Sequence, residues 1–269
     1  MGFLTDLVAD LRRRLDEHPL DDGALLARAN VRPPARDFAA TLRGQAPALI
    51  AEVKRASPSA GAIADDIDPV AHAAACAEGG AAAISVLTEA RHFHGSLADL
   101  EAVRIAVAVP VLRKDFLVHP TQVIEARAHG ADAVLLITAC LTDAELAAML
   151  AITRDLCMSA LVETHADDEL DRALASGAEV IGVNARDLET LDVDVDRAIE
   201  RVRRIPSDRV AVFESGVRTR ADVEAAVEAG ASAILVGEAL MRAGDPRAAV
   251  RELIASTSAR SDRRGDVPT

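Results

Sequence analysis

Lys54 and Lys114 stand apart from the other cations of this chain, because they are its only lysines, set against 28 arginines. Each sits where an apolar run passes into a polar loop, in ALIAEVKRASPS and VPVLRKDF. A guanidinium keeps its proton at accessible pH, whereas an ammonium can release one. Burial or a like-charged neighbour lowers a lysine from about 10.4 toward neutrality. Proton transfer is therefore the chemistry expected of this pair.

Three carboxylates keep the same company. Glu52 lies two residues before Lys54, and in an extended strand such residues share a face. Glu163 closes the apolar run SALVETH and Glu214 closes RVAVFES. Two lysines and three glutamates in one concavity would suit acid and base catalysis, against the structural alternative of a ring of neutralised ion pairs.

Such groups converge only if the strands carrying them do. Four stretches resemble one another, GAAAISVL, GADAVLLI, GAEVIGVN and GASAILVG, beginning at Gly80, Gly130, Gly177 and Gly230 and spaced 50, 47 and 53 residues apart. Each follows an Ala-rich helical pattern, so the glycine reads as a helix C-cap and the run after it as a buried strand. Midway between them lie the apolar runs 48–54, 109–116, 159–165 and 209–215. Eight strands alternating with helices predict an α/β fold, a (β/α)₈ TIM barrel, over a doubly wound open sheet. Barrels of this kind take catalytic groups from the C-terminal ends of their strands. The odd strands here end in charge. The even ones end in Asn184 and Gly237, and Ser215-Gly216 follows the seventh, so Gly216, Gly237 and the N–H of Glu238 could receive a phosphate. Ordinary turn glycines are an equal reading, and Glu238 would have to turn its carboxylate away.

The expected organisation is an N-terminal helical extension over 1–47, capping the barrel or lying over its mouth, then the barrel over 48–256 and a polar, disordered tail over 257–269. The extension carries an amphipathic helix (Phe3, Leu4, Leu7, Val8, Leu11, Leu15) and a Pro/Arg-rich connector; Arg12 to Arg14 read as a solvated face. A net charge of −13 with neither Trp nor Tyr argues against nucleic acid and anionic membranes as partners. No signal-peptide pattern or long apolar segment is present, so a cytoplasmic location is expected. Cys76, Cys140 and Cys157 are expected to be buried thiols. His92 and His94 flank Phe93 without a carboxylate or cysteine cluster, so no metal is expected.

Read in order, AEVKRASPS, ISVLTE with HFHGS, VLRKDF, LVET, IGVNARDL, ESGV and LVGEAL resemble the indole-3-glycerol phosphate synthase family of tryptophan biosynthesis. The resemblance covers roughly residues 48–242 and implies a phosphosugar substrate. It implies closure of 1-(2-carboxyphenylamino)-1-deoxyribulose 5-phosphate to indole-3-glycerol phosphate, with loss of carbon dioxide and water and no cofactor. On that resemblance Lys114 is the general acid and Glu163 the base of the dehydration. Lys54 holds phosphate or carboxylate and makes Lys114 more acidic, and Glu52 pairs with Lys54. Asn184 and Arg186 fix a hydroxyl and the carboxylate, Glu214, Ser215 and Ser57 complete the wall, and Phe116 and Phe93 face the anthranilate ring. The chain departs from the family where Ala60 replaces a common loop lysine, Ala185 a common asparagine and Phe213 a small polar residue. A Schiff-base aldolase using Lys54 or Lys114, and a non-catalytic phosphosugar-binding barrel, remain the rival readings.

Overall fold

The computed structural model describes residues 2–44, 47–58, 61–63 and 66–255. The predicted tail and Ala60 lie outside the described residues. Eight parallel strands, β1 (Ala48–Val53), β2 (Ala83–Leu87), β3 (Val111–Lys114), β4 (Ala133–Ile137), β5 (Ser159–Thr164), β6 (Val180–Asn184), β7 (Val210–Glu214) and β8 (Ala233–Val236), close into a barrel. Each pairs with its sequence neighbours, and β8 returns to β1 through Ala48 opposite Ala233 and Ala51 opposite Val236. Their side chains are buried nearly throughout, which is why the runs read as continuously apolar.

The helices between strands follow the predicted pattern with ends moved by a residue or two: α4 (Pro69–Gly79), α5 (Leu97–Ala106), α6 (Pro120–Ala128), α7 (Asp143–Asp155), α8 (Asp167–Ala175), α9 (Val195–Val202) and α10 (Arg220–Glu228). The four repeat glycines all adopt positive φ, between 76° and 110°, where a side chain would be strained. Two further helices follow β8, α11 (Glu238–Met241) and α12 (Pro246–Ile254), and a two-residue hairpin, Ala56–Ser57 with Gly61–Ala62, follows β1. The helices after β8 complete the expected (β/α)₈ pattern, whereas the hairpin was not predicted.

The N-terminal segment holds three helices, α1 (Phe3–Glu17), α2 (Asp22–Asn30) and α3 (Phe38–Gly44), where the sequence suggested one. α1 lies at the C-terminal end of the strands. Arg12 binds Glu145 (2.6 Å) and the Cys140 carbonyl beyond β4, Asp10 pairs with Arg91 beyond β2, and Thr5 with Glu189 beyond β6. Arg12 is thus a tether rather than part of a solvated face. α2 packs on α6, and α3 packs against β1, β2 and β7 with Phe38 and Leu42 fully buried. Arg43, at the end of α3, reaches Glu179 just before β6 (2.6 Å), so the extension runs from the mouth of the barrel to its floor.

Cys76 and Cys140 are buried as expected, and burial pushes Cys76 up to about 12. Cys157 is exposed instead, at φ 55° in the turn between α7 and β5; an apolar neighbourhood in sequence did not place it inside. Among the described residues no helix is long and apolar enough to cross a membrane.

Candidate active site

The alternation of VLRKDF sets the first piece of the site. Arg113 points away from the barrel axis, and its guanidinium is buried among Thr88, the Gln122 carbonyl, Asp115 and Glu125 at 2.9–3.1 Å. Asp115 in turn accepts the Phe116 N–H (2.8 Å). Lys114, between them, must then face the mouth, and a satisfied buried network beneath it fixes the backbone that carries it.

All five predicted ionisable groups meet there. Lys114 Nζ lies 3.0 Å from Glu163 and 3.7 Å from Glu214, while Lys54 Nζ lies 2.6 Å from Glu52. Glu52, Glu163 and Glu214 are each almost wholly buried. Burial opposes the charge on Lys114, but Glu163, Glu214 and Glu52 outweigh it and push its pKa up. The expectation of a lowered Lys114 is therefore corrected: the glutamates of the alternate strands β1, β5 and β7, Glu163 foremost, overcome desolvation and any repulsion from Lys54. Burial likewise resists ionisation of Glu52, yet Lys54 and then Lys114 hold it below the usual carboxylate range. Glu214 goes the other way. Burial first, then the adjacent Glu163, raise it well above that range, which favours its protonated form hydrogen-bonded to Glu163.

Two glycines seat these carboxylates. A Cβ on Gly182 would stand 2.2 Å from Glu214 Oε1, and one on Gly237 would stand 2.3 Å from Glu52 Oε1. Gly237, read from sequence as a phosphate or turn glycine, has this steric reason of its own. Gly216 has φ 81°. Glu238 turns its carboxylate to Arg242 (3.1 Å), as a phosphate site at its N–H would require.

The β6 end supplies the polar wall. Asn184 Oδ1 accepts the Arg186 N–H (3.0 Å) and the Ser215 hydroxyl (2.8 Å), and Arg186 donates from its guanidinium to the Leu191 carbonyl (2.8 Å). Ser215 holds φ 68°, a conformation uncommon outside glycine and often found at functional sites. The apolar wall is Phe93 and Phe116, with ring centroids 6.0 Å apart. These groups, with Ser57, line one cavity of about 430 Å³. Sequence reasoning missed Phe3, Leu188 and Arg218, which line it too. Phe3 lies on the predicted amphipathic helix, and Arg218 follows the Ser-Gly pair, but nothing in their local pattern says that they turn inward. His92 meets Glu89 (3.4 Å) and the Phe3 ring edge-on, and among the described residues no group of three or more His, Cys, Asp or Glu is gathered to hold a metal.

Fold and site define the class, a (β/α)₈-barrel enzyme with acid–base groups ringed at the C-terminal mouth. Solved structures share the fold: 3-hexulose-6-phosphate synthase at TM-score 0.62 and 22% identity, covering 77% of this chain and 98% of that one, and a thiamine phosphate pyrophosphorylase from Pyrococcus furiosus at 0.59 and 19%, covering 79% and 95%. Sequence comparison is more specific. A family model for indole-3-glycerol phosphate synthase matches residues 4–253. Proteins of that name are similar at 54% identity in Rhodococcus jostii (94% of this chain, 93% of the relative), 56% in Mycobacterium avium (85% and 84%) and 55% in Mycobacterium tuberculosis (94% and 92%). The chain belongs to the indole-3-glycerol phosphate synthase family. It is a carboxy-lyase of tryptophan biosynthesis, forming indole-3-glycerol phosphate from the carboxyphenylamino-deoxyribulose phosphate with loss of carbon dioxide and water.

Proposed function

We propose that Lys114 and Glu163 carry the proton transfers of this reaction, a reading supported above all by their 3.0 Å contact inside a largely buried site. The ring carbon bearing the carboxylate attacks the ketone carbon of the sugar, and negative charge grows on the ketone oxygen. Lys114, kept charged by its carboxylates, donates a proton there; an alkoxide is a far stronger base than a carboxylate, so a raised lysine can still deliver it. The carbon–carbon bond to the carboxylate then breaks, carbon dioxide leaves, and its electron pair restores the aromatic ring. Once Lys114 has regained a proton from solvent, the one proton that the overall reaction consumes, the new hydroxyl departs as water with a proton from Lys114, and Glu163 takes the proton whose loss completes the indole double bond and returns it to Lys114 for the next turnover.

The remaining residues bind and orient. Arg186 grips the carboxylate and Asn184 a sugar hydroxyl. Phe93, Phe116 and Phe3 cover the anthranilate ring. Lys54, the N–H groups of Gly216, Gly237 and Glu238, and the guanidinium of Arg218 receive the phosphate. Glu52 orients Lys54, Ser57 and Ser215 close the wall, and protonated Glu214 adds a hydrogen bond that steadies Glu163. The substrate is a small phosphosugar derivative, and the acidic surface gives no support to nucleic acid or membrane as partner.

With neither Trp nor Tyr in the chain, indole formation can be followed by fluorescence over almost no protein background. Signal growth in wild type, lost by about a hundredfold or more in Lys114→Met and Glu163→Gln, supports the assignment. Either variant turning over at the wild-type rate refutes the role of that residue. Covalent labelling by substrate and borohydride would instead indicate the Schiff-base route.

A further inference from the structure

His165 joins the end of strand β5, two residues past Glu163, to the loop that carries Arg186. Its backbone N–H donates to Glu169 Oε2 (2.7 Å), which fixes the residue at the start of α8. Its ring lies between two acceptors from another segment: Nδ1 is 2.9 Å from the Asn184 carbonyl, to which its N–H donates, and Nε2 is 3.5 Å from Asp187 Oδ2, an ion pair when the imidazole carries both protons. Neither His165 nor Asp187 lines the cavity, so His165 is outside the catalytic set assigned above.

What Asp187 does gives the contact its meaning. Its other oxygen accepts the N–H groups of Glu189 (2.7 Å) and Thr190 (3.1 Å), and its backbone bonds Leu191 and Asp192 (both 2.9 Å). The loop 187–192 is therefore wound around this one side chain. Leu191, held at φ 66°, offers the carbonyl that binds the Arg186 guanidinium. Glu189 accepts the Thr5 N–H (3.1 Å) and so fastens α1, whose Phe3 lines the cavity. Loss of the Nε2 contact leaves Asp187 tied only to its own loop, free to shift relative to β5 and β6 together with the groups it organises.

We propose that His165 is a positioning residue that sets the carboxylate-binding arm of the site, holding Asn184 through Nδ1 and the Arg186 loop through Nε2. The inference rests on the reading of Arg186 as the grip on the substrate carboxylate. A misplacement on the order of 1 Å is enough to weaken such a grip severely.

Isosteres separate the two arms. His165→Asn places an amide where Nδ1 stands and drops the Asp187 contact; His165→Gln reaches the Nε2 position. Steady-state kinetics of these variants and of Arg186→Ala, with binding of the product, which lacks the carboxylate, form the test. The expected result is a KM about tenfold higher in His165→Asn with kcat within about twofold, recovery to within about threefold in His165→Gln, and unchanged product affinity. Should His165→Asn fail to fold, Asp187→Asn keeps the oxygen that accepts Glu189 and Thr190, replaces the one facing Nε2 with an amino group that cannot accept from it, and should raise KM alike. A wild-type KM in His165→Asn beside a raised one in Arg186→Ala overturns the proposal alone. An unchanged KM in Arg186→Ala overturns the reading it rests on. Equal losses of substrate and product affinity would show that His165 acts by general support, which also overturns it.

Discussion

Gly182→Ala should disable the site without touching any ionisable group. The added methyl would stand 2.2 Å from Glu214 Oε1, 3.3 Å from its Cδ and 3.2 Å from Leu161 Cδ1, roughly 1 Å inside ordinary contact. Neither neighbour can yield cheaply, since Glu214 and Leu161 are both buried. Overpacking of this kind costs about 1–3 kcal/mol. If the carboxyl group retreats by ~1 Å, it leaves its place beside Glu163 and Lys114, 3.7 Å from the latter, and a displacement of that size is enough to cost on the order of tenfold or more in rate. The variant should therefore melt roughly 3–10 °C lower, at ~2–4 °C for each kcal/mol in a chain of this size, with kcat about tenfold down. Calorimetry and the indole fluorescence assay read both. Glu214→Asp withdraws the carboxylate by about 1.5 Å, so the double variant should recover part of both losses, a coupling of ~0.5–3 kcal/mol. Wild-type kcat and melting temperature in Gly182→Ala, or a double variant no better than the single, would refute the idea that Gly182 exists to seat Glu214.

Two predictions concern pH. Glu214 has a folded-state pKa raised well above the ordinary 4.5 of a glutamate by burial and then by the adjacent Glu163, so wild type loses stability as pH rises from that value toward the folded one. Glu214→Gln has no such loss, and its melting temperature relative to wild type should climb by a few degrees between pH 4.5 and 8; a flat difference would contradict the raised carboxyl. Glu145 is held down at about 2, chiefly by Arg12 and then by the Thr142 N–H, so its contribution is present above 4.5 and lost as pH falls through 2. Because both side chains are partly exposed, Arg12→Ala should cost less than about 1 kcal/mol at neutral pH. That cost should vanish toward pH 2 in thermal melts, and persistence there would mean that Arg12 works through the Cys140 carbonyl instead.

The barrel was legible because its signal repeats: glycine at the helix end, then a buried run, at a spacing no open sheet needs. Boundaries moved only where burial and pairing part company, as at Val109, which is apolar but precedes the first paired residue of β3, Val111. The second and third helices of the extension were hidden by the Pro/Arg-rich connector between them, although Phe38 and Leu42 are spaced one turn apart. Cys157 misled because a left-handed turn throws its side chain outward. The five charged residues were readable one by one from strand ends. The direction of the Lys114 pKa shift was not, since it depends on which carboxyl groups come nearest across the barrel, and distance along the chain misleads: Glu214 is the farthest of the four in sequence yet lies 3.7 Å away.

The same dependence explains the even strands. Glu52 leans across β8 and Glu214 across β6, so the barrel can hold an inward carboxylate only where the adjacent strand gives up its side chain, at Gly237 and Gly182. Gly182 also stands opposite Glu163 in the sheet register, which brings Glu163 and Glu214 to either side of one glycine and lets them share a hydrogen bond. A glycine read alone in IGVN or LVGE is a weak turn signal; read against the glutamate at the end of the next strand, it is half of a pair. In a closed barrel, where every strand has a fixed neighbour, that pairing can be sought in the sequence once the strand order is known.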